Sequence, residues 1–275
     1  MGIREKIGLI RGYIPADDAT VEAFSDLLEK QAQLKTRYAE TLSRVDVNSL
    51  GRTIAEGKPA ASEAGIWLTE EEIAEGVRAV AGVIGEKIPR EAERVRSVLD
   101  AIGEGKLNLR GLAQALLMGE LSEAEHAAEQ AGVDSAVLGS LVAWSLQPAY
   151  AALSEAVVRV ADLSGWSTGR CPVCGSYAAL GFIDREGAFH LKCQFCGTEW
   201  GYPGGKCPFC GNDESDLISV IDLGEGRPLL LDICHVCGGY WKVVDERLST
   251  VDVPRELYDL WTLILDALAK RFAGR

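Results

Sequence analysis

RCPVCGS at residues 170–176, with its echoes LKCQFCGTEW at 191–200, KCPFCG at 206–211 and ICHVCGGYWKVVD at 233–245, decides how this chain folds. These segments hold all eight cysteines, in four pairs of one spacing: Cys171 with Cys174, Cys193 with Cys196, Cys207 with Cys210, and Cys234 with Cys237. A glycine follows each pair, at Gly175, Gly197, Gly211 and Gly238. Two intervening residues let a chain turn back so that both sulfurs reach one ion, and a second such knuckle completes a tetrahedron suited to zinc or iron. Glycine after the second cysteine admits a positive φ, which helps aim backbone N–H groups at the sulfurs. Four knuckles therefore predict two metal ions, each held by four thiolates.

Disulfides and thiol exchange are the competing readings. Met1 to Ile14 carries Arg4, Glu5, Lys6 and Arg11 and lacks the apolar core of a signal peptide. A cytoplasmic, reducing location is therefore expected, where structural disulfides are rare. Exchange chemistry needs one accessible pair of low pKa, whereas four alike pairs read as ligands.

Outward from the knuckles, the pattern alternates. Tyr177, Ala179, Gly181 and Ile183 precede a turn at Asp184 to Gly187, and Phe189, Leu191 and Cys193 follow it. Leu217–Leu223 and Leu229–Ile233 repeat the scheme around Gly224 to Gly226, and Tyr240 to Val244 reads as a further strand. Each hairpin is bracketed by two knuckles, the arrangement of a zinc ribbon or rubredoxin-like unit. Sequential grouping of the knuckles, first with second and third with fourth, is preferred; an interleaved grouping stays open. A ribbon this small has little core, so its ions should supply much of its folding free energy.

The rest of the chain is helical. Val21, Phe24, Leu27, Leu28, Leu34, Tyr38 and Leu42 give one helix with a broad apolar face. Residues 50–65 read as a connection that can hold a short turn of helix. Thr69 and Glu72 have capping-box spacing ahead of a helix that Pro89 ends; Ser122 and Glu125 suggest a second box, and Gly132 a left-handed stop. Residues 135–163 are apolar on more than one side and form the central helix or helix pair, broken or kinked near Pro148. Pro254 opens a last helix with Leu257, Tyr258, Trp261, Ile264, Leu268 and Phe272 as its stripe. The expected class is α+β: a helical domain at 1–165, ribbon modules at 166–203 and 204–248, and a C-terminal helix at 249–275 that packs on what precedes it.

Charge and motif content narrow the function. Net charge is −13, from 28 basic and 41 acidic side chains. Residues 166–248 hold seven basic and eleven acidic side chains, so their aromatics lack the positive surface that phosphate backbones need. No run approaches the roughly 18 continuous apolar residues of a membrane span, so an integral membrane protein is not expected. Four thiolates close a metal site to activated water, and no HExxH, phosphate loop or dinucleotide fingerprint is present, so no catalytic residue or enzymatic turnover is expected. His126, His190 and His235 read as ordinary packing, turn or sulfur-supporting residues.

The knuckles and their flanks, from Trp166, Gly169 and Arg170 to the Trp241 to Asp245 strand, closely resemble the formate dehydrogenase accessory proteins FdhE. Phe24, Leu28 and Gln31 extend the likeness only faintly into the helices. The resemblance implies an assembly factor with two rubredoxin-like iron sites on the eight cysteines. It also implies a partner, the catalytic subunit of a formate dehydrogenase, whose maturation or activation it supports before export by the twin-arginine pathway. Cys171, Cys174, Cys193 and Cys196, with the most family-like surroundings, would be the set closest to that activity. Thiolate sites accept zinc as well as iron. A nucleic-acid-associated zinc ribbon and a purely structural metal module remain alternatives, and a homodimer stays open.

Overall fold

The computed structural model describes residues 2–223 and 228–272, so the expected turn at Gly224 to Gly226 lies outside the described residues. In chain order the helices are α1 (Ile3–Ile10), α2 (Asp18–Thr41), α3 (Val47–Ala55), α4 (Ala61–Ala64), α5 (Glu70–Lys87), α6 (Ala92–Gly103), α7 (Leu109–Met118), α8 (Leu121–Ala131) and α9 (Ser135–Val157). Strands β1 (Leu180–Ile183), β2 (Phe189–Lys192), β3 (Glu199–Gly201), β4 (Ile218–Asp222), β5 (Leu229–Cys234) and β6 (Tyr240–Asp245) follow, then α10 (Tyr258–Trp261) and α11 (Leu263–Phe272). The chain forms two compact units. One comprises residues 16–50 and 61–157; the other comprises residues 1–15, 51–60 and 158–275.

In the helical unit, α2, α5 and α9 pack on one another. Asp17 caps α2 by accepting from the Thr20 N–H, and Thr69 and Glu72 form the reciprocal capping box of α5. Arg44 grips the same Glu72 through two contacts of 2.7 and 3.0 Å. That pairing holds the Glu72 carboxyl down to about 2. Gly119 and Gly132 end α7 and α8 in left-handed conformation. The expected Ser122 box does not form: Glu120 N–H bonds back to the Ala115 carbonyl, and α8 starts at Leu121, which places Ser122 inside the helix. Residues 50–65 hold more helix than one short turn, since α3 runs to Ala55 and α4 covers Ala61–Ala64. Asp46 accepts from the Asn48 and Ser49 N–H groups at the start of α3, and Leu50 and Ile54 are buried on it.

Helix α9 is long and apolar enough to span a bilayer, but more than half of its apolar window is buried inside the protein. It runs as one helix through Pro148 and stops at Val157, so the helix is not broken there. Proline has no N–H for the carbonyl four residues back. Here that carbonyl belongs to Trp144, and Gln31 of α2 donates its Nε2–H to it at 2.9 Å while also reaching Gln147 at 2.7 Å.

In the second unit all six strands join one sheet, in the order β3-β2-β1-β6-β5-β4. Each ribbon supplies three antiparallel strands, and β1 pairs with β6 in parallel, from Leu180 opposite Lys242 to Ile183 opposite Asp245. Strand β3, directly after the second knuckle, was not foreseen. The single C-terminal helix expected is divided at the buried Thr262, whose hydroxyl donates to the carbonyls of Tyr258 and Asp259 and so competes with regular helix bonding. Lys242 of β6, only 2% exposed, meets Asp259 at 2.7 Å and Asp266 at 2.9 Å, which anchors both short helices to the sheet.

The crossing of α2 and α5 is set by one absent methyl. A Cβ at Gly76 would lie 2.3 Å from the Tyr38 hydroxyl oxygen and 3.2 Å from the Ser145 Cβ. Tyr38 is buried there and donates to the Glu72 carbonyl at 3.1 Å. Gly76→Ala is expected to lower stability by about 1–3 kcal/mol in urea unfolding. Tyr38→Phe removes the colliding oxygen and should cost less in the Gly76→Ala background than alone; equal costs would refute this account of the crossing.

Candidate metal centres

One backbone pattern builds all four knuckles. The first cysteine's N–H donates to the carbonyl five residues on: Cys171 to Ser176, Cys193 to Thr198, Cys207 to Asn212 and Cys234 to Gly239, at 2.8–2.9 Å. The glycine four residues on returns a bond to that cysteine's carbonyl, at 2.9–3.0 Å in each case. Closing so small a ring requires a left-handed residue at its corner. Gly175, Gly197, Gly211 and Gly238 supply it, with φ of 80°, 78°, 77° and 74°.

The knuckles converge in pairs. Cys171, Cys174, Cys193 and Cys196 form one cluster and Cys207, Cys210, Cys234 and Cys237 the other, with the sulfurs of each within 4.8 Å of one another. This is the sequential grouping. In the first cluster Cys171 lies 3.4 Å from Cys196 and Cys174 3.4 Å from Cys193; in the second, Cys207 to Cys237 and Cys210 to Cys234 are both 3.7 Å. Four sulfurs each about 2.3 Å from a common ion stand about 3.8 Å apart in a regular tetrahedron. The donor set and its spacing fit zinc or iron, and none of the eight cysteines is in a disulfide.

The two clusters differ in their surroundings. All four cysteines of the first are buried, at 0–3% exposure. Segment 51–60 covers it: the Ala60 N–H donates to the Pro172 carbonyl at 2.9 Å, and the Pro59 ring approaches Gly175. Val173 and Cys174 N–H groups point at Cys171 Sγ, the Cys196 N–H points at Cys193 Sγ, and Thr198 Oγ1 lies 2.9 Å from Cys196 Sγ. In the second cluster Cys207 and Cys234 are fully buried but Cys210 and Cys237 are exposed. Tyr202 donates its hydroxyl to the Cys207 carbonyl, and burial pushes the Cys207 thiol up to about 12 in the metal-free protein.

The histidines stand outside both clusters. His126 pairs with Gln130, His235 with Ser219 at 2.7 Å, and His190 with Asp184 at 2.7 Å while stacking on Phe182. The supporting groups Thr198, Tyr202 and Gln194, which reaches Asp259 at 2.6 Å, were not foreseen. Thr198 lies two residues after Cys196 and Tyr202 five before Cys207, whereas Gln194 reaches 65 residues along the chain.

Gly169 locks the first ribbon's leading loop against the third knuckle. A Cβ there would stand 1.8 Å from the Pro208 carbonyl oxygen, a backbone atom that cannot swing aside. Gly169→Ala should therefore lower the thermal midpoint of the metal-loaded protein, at a cost of about 1–3 kcal/mol. Gly201→Ala has open space around its Cβ and serves as the control. Equal midpoints for the two variants would count against the contact.

Comparison with known proteins gives a consistent pattern. Residues 170–203 match the sequence model of the FdhE central domain. An FdhE homologue of Aquifex aeolicus is 37% identical over 109 residues, which is 38% of this chain and 38% of that protein. The FdhE protein of Escherichia coli is 30% identical over 102 residues, 35% of this chain and 32% of that protein. The matched stretch thus spans about a third of the length of these relatives. In solved structures, the crystal structure of the FdhE protein from Pseudomonas aeruginosa superimposes with a TM-score of 0.59 over 98% of this chain and 90% of that one, at 23% identity. Residues 170–203 thus match the FdhE central domain, and the chain shares the fold of the Pseudomonas aeruginosa FdhE structure along nearly its whole length.

Proposed function

We propose that this protein is a metal-binding accessory factor that engages the catalytic subunit of a formate dehydrogenase and supports its maturation or activation before export. The observation that carries this reading is the pair of four-cysteine clusters on an FdhE fold. All eight cysteines serve as ligands, one ion to each cluster, with iron the native metal and zinc an accepted substitute. Iron bound by four thiolates exchanges one electron with little movement of its ligands, which suits a factor that acts on a redox enzyme. The protein has no substrate turnover of its own in this reading, because four sulfurs leave an ion no position for activated water. It works in the cytoplasm, before its partner is exported.

Acidity favours a protein partner over nucleic acid. With a net charge of −13, the chain gains no general attraction to a phosphate backbone. Gentle anaerobic purification from the native host, followed by metal analysis and identification of co-purifying polypeptides, tests the proposal. Two equivalents of iron and a formate dehydrogenase catalytic subunit are expected. Metal-loaded protein that never retains such a subunit, even after cross-linking, would overturn the partner assignment.

A further inference from the structure

The two clusters have the same ligands and the same knuckle geometry, so their chemistry should differ only through what surrounds them. Around the first, Pro172 and Val173 between the ligands are buried along with all four cysteines. Around the second, the exposed stretch runs from His235 through Val236 and Cys237 to Gly238, and Cys210 and Gly211 are exposed opposite. Val236 is 57% exposed between two ligands, where Val173 in the first knuckle is 0% exposed. Backbone donors divide by position in the knuckle in both clusters: Cys171, like Cys207 and Cys234, accepts two N–H groups from its own knuckle, whereas Cys237 accepts one, from Gly239 at 3.4 Å.

We infer that the clusters have unequal roles: the first is a sealed, permanent site, and the second is an exchange site at which an external thiolate displaces Cys210 or Cys237 from the ion. The inference rests on the ligand assignment proposed above. Displacement of a metal-bound thiolate requires the incoming sulfur to approach the ion from outside, and the route exists only where ligands face solvent. It also requires the leaving sulfur to be weakly held, and hydrogen bonds from backbone N–H groups are what hold a thiolate in place. Cys210 and Cys237 are the cysteines that face solvent, Cys237 with a single N–H donor, and no cysteine of the first cluster is exposed.

The exchange balances without any change of oxidation state. An external thiol forms one metal–sulfur bond, the bond to Cys237 or Cys210 breaks, and the proton of the incoming thiol ends on the released cysteine Sγ. Beside the fourth knuckle lies a groove of about 500 Å³, bordered by Ser219, Ile221, Ile233, His235, Gly238 and Phe272. Its mixed lining of apolar and polar side chains gives room for the body of a molecule that brings the sulfur, either a small free thiol or a cysteine side chain on a peptide.

The test uses the full-length protein loaded with two equivalents of zinc, a chromogenic chelator in excess, and either glutathione or a short cysteine-containing peptide. One equivalent should leave with a rate that rises with thiol concentration, and the other should leave roughly tenfold or more slowly and independently of thiol. Acceleration by glutathione identifies a free thiol as sufficient; acceleration by the peptide alone identifies a protein-borne cysteine. Limited alkylation of the same zinc-loaded protein, read by peptide mass spectrometry, should mark Cys210 and Cys237 before any of the other six. Cys210→Ser with Cys237→Ser should abolish the thiol-dependent phase and keep the slow one. Release of both ions at one rate, a fast phase indifferent to thiol, or first alkylation at the 171–196 cluster would overturn the inference. A protein that takes up no zinc at all would instead overturn the ligand assignment beneath it.

Discussion

A ring of six residues, closed by two backbone hydrogen bonds and cornered by a left-handed glycine, is the constraint on which the ribbon half of this protein depends. It occurs four times with nearly identical dimensions. Each ring points two sulfurs the same way, and facing rings bring four sulfurs to the edge length of a tetrahedron. The strands begin where the rings end: β3 starts two residues after Gly197 and β6 two residues after Gly238. The sheet is thereby a consequence of the knuckles as much as a support for them, because strand register is fixed on both sides by a turn that admits one geometry.

The parts legible in the sequence are those whose causes lie within a few residues. Thr69 with Glu72, Gly132 and the four knuckle glycines each act through a bond to a near neighbour, and the structure places each of these as expected. The parts that were not legible have distant causes. Helix α9 survives Pro148 because of a glutamine 113 residues earlier in the chain than the carbonyl it rescues. The grouping of ribbons into one sheet depends on β1 finding β6 across both intervening strand pairs. Segment 51–60 packs against the first four-cysteine cluster, a contact that no spacing within the knuckles could reveal.

Lys242 illustrates how the sheet tolerates charge in its interior. A lysine almost without exposure is costly unless paired, and here two carboxylates from separate short helices converge on it. Asp259 also accepts from Gln194 in the second knuckle, and Asp266 from the Tyr240 hydroxyl. One cation thus ties the first ribbon, the second ribbon and the C-terminal helices into a single polar node. Its value is positional: neutral side chains of similar volume could pack there, but they would not orient three elements at once.

The parallel joint between β1 and β6 also has a bearing on biosynthesis. While the chain emerges from the ribosome, the first ribbon's knuckles and hairpin are complete by about residue 201, yet β1 keeps one row of backbone groups unpaired until residues 240–245 appear. At typical translation rates of about 5–20 residues per second, that edge stays open for several seconds, long enough for a neighbouring nascent chain to pair with it. A buried first cluster that captures its ion early would hold the half-built ribbon in shape through this interval, and the last strand to be made would close the sheet over a template already set.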